Sequence, residues 1–181
     1  MNIIVTDRKA EQFHFRPDST LIKDSAHFYL PSFLSGLLVS FGYAFRIDKP
    51  AKSVNFQFSS RYISKYAPGI LLYGVLDNNT HNSYKTSETC FDNSTYIVNQ
   101  MKDICDTTLS LLCNGKDYLP ENEFSNLDTI AGLMLEKLSS QFSFKTGDII
   151  FVECAKAHPI SSPCDIKLFA NHTPVLEFKV K

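Results

Sequence analysis

Two small constellations carry residue types able to do chemistry. Cys154 and His158 lie four apart in VECAKAHP, residues 152–159. A thiolate beside an imidazole can act as a nucleophile or supply two metal ligands. Spacing places no further ligand near them, so a buried thiol and a loop histidine before Pro159 is the simpler reading. Asp77 and His81, in the polar run DNNTHN, have the types of an acid/base pair or a weak metal pair, set against a solvated loop. Cys105 and Cys113 are eight apart, which is no zinc spacing, and read as core residues.

A third stretch is notable for what it lacks. In LLVSFGYAFRI, residues 37–47, a period of two puts Val39, Phe41, Tyr43, Phe45 and Ile47 on one face. That face belongs in a core. The other face holds Ser40, Gly42 and Ala44, where a solvent-facing strand normally carries Thr, Lys or Glu. A strand emptied on one face leaves room for a ligand or for neighbouring aromatic rings.

The elements around these residues alternate. NIIV (2–5), GILLYGVLD (69–77), TTLSLLC before an Asn114-Gly115 turn, DIIFVEC, DIKLFA and VLEFKVK read as strands. Residues 53–66 are ambiguous, strand-like in the first half and helical in the second. Residues 78–95, rich in Asn, Ser and Thr, show no pattern. SNLDTIAGLMLEKLSSQF is the one clear helix: Leu127, Ile130, Ala131, Met134, Leu135 and Leu138 follow the i, i+3, i+4 rule, with Ser125 or Asn126 as cap. Asp148 is placed to hold the turn before its strand. Strands, a lone helix and more strands predict an α+β, mainly β fold, with one domain over residues 1–181.

Composition narrows the class. The 181 residues are 44% hydrophobic and 20% charged, with a net charge of −1. That balance gives no electrostatic case for nucleic acid or an anionic membrane. No run approaches the ~18 apolar residues of a membrane span. The N-terminus has no long apolar leader, and five cysteines without framework spacing fit reduced thiols. The expectation is a cytoplasmic protein.

Four motifs in order point to a family. FRPDSTLIKD with YLPSF resembles the KPxSAL…PxF opening segment of the fumarylacetoacetate hydrolase family. ETCFDNSTYI resembles its KxFDGxxPIG, SFKTGDIIF its LxxGDxIxTGTP, and DIKLFANHTPVLEFKVK its GDxVxxxIxGxGxLxN ending. Together they span about residues 13–181.

The resemblance implies an emptied site. The family's strand after PxF carries Glu-x-Glu, whose two carboxylates share one face and bind a divalent cation. The matching positions are Ser40 and Gly42. The third ligand, an Asp, aligns with Leu76, with Asp77 one residue away and therefore on the opposite face unless a bulge intervenes. The family's active-site Lys corresponds to Thr89, and its glycine-rich TGTP loop to 152–159, including Glu153. The resemblance also implies a homodimer and a small carboxylate ligand. The expectation is a non-catalytic binding or assembly protein needing no cofactor. The alternative is a Mg²⁺- or Ca²⁺-dependent hydrolase, decarboxylase or isomerase acting on acylpyruvate-type or 2-oxo acids, with Asp77 as ligand.

Overall fold

A computed structural model describes residues 1–22, 27–76, 86–121 and 124–181. Two long strands form its centre. β3 (Gly36–Ile47) and β4 (Ile63–Val75) pair antiparallel along nearly their whole length. β1 (Asn2–Thr6), β2 (Phe13–Pro17) and β9 (Ile149–Glu153) extend one side, and β5 (Thr95–Ile97) the other, in the order β2-β1-β9-β3-β4-β5. Short strands β6 (Lys102–Asp103) and β10 (His158–Ile160) pair with β4 and β3. β7 (Leu109–Cys113), β8 (Lys116–Tyr118), β11 (Cys164–Ala170) and β12 (Thr173–Val180) form a second sheet ordered β12-β11-β7-β8. The fold is mainly β, as predicted, with one short α-helix, α1 (Thr86–Thr89), and one long one, α2 (Leu127–Gln141), among the described residues.

The main core lies where alternation placed it. Val39, Phe41, Tyr43, Phe45 and Ile47 are buried against Leu111, Ile166, Leu168 and Phe178 of the second sheet and against the apolar stripe of α2. Each large side chain removed from water contributes about 1.5–3 kcal/mol. Asn126 caps α2, its side chain accepting from the Thr129 N–H at 3.2 Å. Asp148 accepts from the N–H groups of Lys145 and Asn2, both at 2.8 Å, and so joins its turn to the first strand.

Residues 53–66 reverse the expected order. A 3₁₀ helix (Phe56–Arg61) comes first and the strand follows from Ile63. One local bond and one from α2 select it. The Asn55 side chain accepts from Gln57 N–H at 3.1 Å, and the Phe56 N–H donates to Glu136 Oε1 of α2 at 2.9 Å. Cys105 is exposed rather than in the core, whereas Cys113 is buried. Among the described residues, no helix is long and apolar enough to cross a membrane.

Candidate functional site

The blank face of β3 is not empty. Gly42 pairs with Gly69, and Ala44 with Ala67, so four small residues form a patch across two strands. Phe151, from the adjacent β9, lays its ring over that patch. A Cβ on Gly42 would stand 2.9 Å from the ring and 2.0 Å from the Val152 carbonyl oxygen; one on Gly69 would stand 2.7 Å from the same ring. Phe151 is fully buried there with Ile3, Val5, Ala44, Leu71, Tyr73 and Ile149, forming a second core. The glycines exist because the ring and the backbone of β9 need the space.

Two residues along the same face the packing turns polar. Ser40 is fully buried, and its hydroxyl donates to the Ala155 carbonyl oxygen at 3.0 Å. The Tyr73 hydroxyl donates to Glu153 Oε1 at 2.8 Å. Ser40 lies within hydrogen-bonding reach of the Glu153 carboxyl as well. Burial pushes the Glu153 carboxyl above the ordinary carboxylate range; Ser40, Tyr73 and the Arg16 charge pull against that rise, and Asp7 adds to it.

Arg16 is the nearby cation and is 0% exposed. Its guanidinium donates to the carbonyl oxygens of Ser94 at 3.1 Å and Leu72 at 3.0 Å, and to the hydroxyls of Ser94 and Thr95, both at 3.3 Å. Its centre lies 4.4 Å from the Tyr73 ring, a cation–π contact. His14 Nε2 accepts weakly from Arg16 Nε at 3.5 Å. Burial, and then the Arg16 charge, lower the His14 pKa to about 4, so the ring is neutral at pH 7.

Glu153 also borders a cleft of about 890 Å³. Three cations, Arg8, Lys9 and Lys156, and three further acids, Asp7, Glu11 and Glu121, line it with Phe124 and Cys154. The Arg8 guanidinium sits 5.2 Å over the Phe124 ring. The Asp7 carboxylate accepts from the N–H groups of Lys9 and Glu11, each at 3.1 Å, which fixes the turn carrying the first two cations.

The remaining sequence-predicted residues fall as follows. Cys154 is buried; burial, and then Glu153, raise its thiol well above the ordinary value, with Arg8 opposing. It is therefore a thiol, not a thiolate. His158 sits on β10 opposite Val39, its ring 4.6 Å from that of Tyr118. No hydrogen bond joins Cys154 to His158 among the described residues. Leu76 packs against the main core. Thr89 is buried at the end of α1, its hydroxyl 3.4 Å from the Thr86 carbonyl oxygen. Asp77 and His81 lie outside the described residues.

Among the described residues, the positions that the resemblance assigns to the cation offer no fitting donor set. Ser40 gives a neutral oxygen already hydrogen-bonded, Gly42 gives none, and Leu76 is hydrocarbon. Mg²⁺ and Ca²⁺ bind through several hard oxygens, usually including carboxylates. Among the described residues, no three His, Cys, Asp or Glu side chains converge to hold a metal. Arg16, Tyr73 and Phe151 escaped the sequence reading as site residues. A tyrosine inside the aliphatic run ILLYGV, and an arginine inside FHFRP, were the available signals.

No family model and no curated protein matches the sequence. Solved structures do. The 5-carboxymethyl-2-hydroxymuconate delta-isomerase from Mycobacterium smegmatis superposes with a TM-score of 0.82 at 16% identity, over 99% of this chain and 78% of that one. A fumarylacetoacetate hydrolase family protein from Yersinia pestis gives 0.74 at 16%, over 99% and 92%. The fumarylpyruvate hydrolase from Pseudomonas aeruginosa, solved with Mn²⁺ and pyruvate, gives 0.75 at 13%, over 99% and 88%. The polar pocket at Ser40 and Glu153 and the packed patch at Gly42 therefore stand on one scaffold, and the chain has the fold of the fumarylacetoacetate hydrolase family.

Proposed function

We propose that this chain is a metal-free, non-catalytic binding protein on that fold, and that its cleft beside Glu153 takes a small carboxylate. The observation that carries the reading is the closure at Gly42. A carboxylate side chain cannot be introduced where a Cβ alone would stand 2.0 Å from a backbone oxygen. Arg8, Lys9 and Lys156 supply cationic donors to the cleft, interleaved with Asp7, Glu11, Glu121 and Glu153, so a carboxylate would be held by individual charge-assisted hydrogen bonds rather than by a net positive field. Thermal stability tests this. EDTA, Mg²⁺, Mn²⁺ and Ca²⁺ are expected to leave Tm unchanged, while pyruvate or fumarate raises it saturably, since a ligand of the native state stabilises by linkage. A saturable metal-dependent rise, or metal-dependent turnover of an acylpyruvate, overturns the proposal in favour of a hydrolase, decarboxylase or isomerase. The homodimer that the fold resemblance implies belongs to the same proposal, and sedimentation equilibrium decides it.

A further inference from the structure

Cys113 and Cys164 belong to neither the cleft nor the second core. One closes β7 and the other opens β11, on neighbouring strands of the second sheet. Both are free thiols, exposed by only 4% and 3%, and their sulfur atoms are 3.0 Å apart. A disulfide bond is about 2.05 Å long, so the sulfurs need approach by only about 1 Å.

The backbone beneath them is already fixed. Asn114 ties the two strands together three times. Its N–H donates to the Asp165 carbonyl oxygen at 3.1 Å, its side-chain oxygen accepts from the Asp165 N–H at 2.9 Å, and its side-chain amide donates to the Pro163 carbonyl oxygen at 3.2 Å. The chain therefore holds two thiols in contact, Cys113 standing opposite Ile166 and diagonal to Cys164, and about 1 Å short of a bond. Access comes from the sheet edge. β8 has three residues and is the edge strand, joined to β7 by the Asn114-Gly115 turn. Such an edge opens locally at low cost.

We propose that Cys113 and Cys164 form an oxidation site that closes to an intramolecular disulfide on exposure to a hydroperoxide. One thiol, as its thiolate, attacks the peroxide O–O bond and becomes a sulfenic acid, releasing water in the case of hydrogen peroxide. The second sulfur displaces the sulfenic oxygen as a second water. Two thiols are oxidised, one peroxide is reduced, and one S–S bond is formed. Burial raises the Cys113 thiol far above its ordinary value, so the reactive thiolate forms when the edge opens and water reaches the sulfur.

Cys105 is the internal control, being exposed. Reduced protein is treated with increasing hydrogen peroxide, denatured, alkylated with N-ethylmaleimide, digested and mapped by mass spectrometry. The expected result is a Cys113–Cys164 cross-linked peptide and, for the oxidised protein, a Tm rise of roughly 10 °C that dithiothreitol reverses. Cys113→Ser and Cys164→Ser each abolish the cross-link. The double variant Cys113→Ser/Cys164→Ser, checked for native near-ultraviolet circular dichroism, shows no peroxide-dependent Tm rise. Full alkylation of both Cys113 and Cys164 at a peroxide dose that oxidises Cys105 overturns the proposal. So does a cross-link involving any other cysteine pair, or conversion of either residue to a sulfinic acid without a cross-link.

Discussion

Ser40 and Gly42 sit on one face of one strand, two residues apart, and their surroundings are opposite. Around Gly42 the space is closed: the Val152 carbonyl oxygen and the Phe151 ring leave no room for a side chain. Around Ser40 it is polar: a buried carboxyl, a phenol, a hydroxyl and an arginine are joined by hydrogen bonds and charge. The resemblance would give both positions the same task, so the difference between their surroundings is informative. Close packing tolerates no hole beside either small residue. One strand, β9, supplies both neighbours: the Phe151 ring over Gly42, and Glu153, a carboxyl hydrogen-bonded to Tyr73, in the polar half.

The packed half gives the largest expected effects. Gly42→Ala forces a methyl against the Val152 carbonyl oxygen, and unfolding in denaturant should show a loss of at least about 3 kcal/mol. Phe151→Ala opens a cavity over both glycines and costs about 3–5 kcal/mol. Wild-type stability in Gly42→Ala would show that β3 and β9 do not approach so closely. The polar half is softer. Ser40→Ala leaves the buried Ala155 carbonyl oxygen unpaired and costs about 1–3 kcal/mol. Tyr73→Phe removes one bond to Glu153, raises that carboxyl's pKa further and costs about 1 kcal/mol; a loss equal to that of Phe151→Ala would erase the contrast between the halves.

Acid gives the smallest effect and a definite sign. The His14 pKa falls from 6.5 unfolded to about 4 folded. Between those values the unfolded chain binds a proton that the folded chain refuses. Stability from this group is therefore present above 6.5 and lost as pH falls toward 4. From pH 7 to 5 the loss is on the order of 1 kcal/mol, allowing for solvent screening of a partly exposed ring. Glu153 acts with the opposite sign, because its raised pKa favours the fold at low pH and weakens it as pH rises through that value. Chemical denaturation across pH in His14→Gln and Glu153→Gln separates the two: the first variant flattens the acid side, the second the alkaline side.

Sequence patterns disclosed the parts governed by near neighbours. The alternation of 37–47, the helix at 127–141 and the Asn-Gly hairpin each follow from contacts within a few residues. The small side chains at Ser40 and Gly42 were also legible, since residue type alone gives them. Their surroundings were not. Phe151 and Glu153 lie more than a hundred residues downstream, in a run, DIIFVEC, that reads as any buried strand. Arg16 was hidden for a similar reason: its bonds go to Leu72, Ser94 and Thr95, and no local rule foretells a buried arginine satisfied by carbonyl and hydroxyl oxygens. Residues 53–66 misled because Asn55 and Glu136 supplied caps that outweighed alternation.

The glycine pair under Phe151 also bears on engineering. A designer wishing to install a divalent-cation site on this scaffold cannot proceed one substitution at a time. A carboxylate at position 42 requires the Phe151 ring to shrink and β9 to shift away from β3 together, and each change made alone passes through an unstable chain. The scaffold is thus held in its present form by a valley between two workable sequences, and crossing that valley needs concerted replacement of strand β9 as a unit.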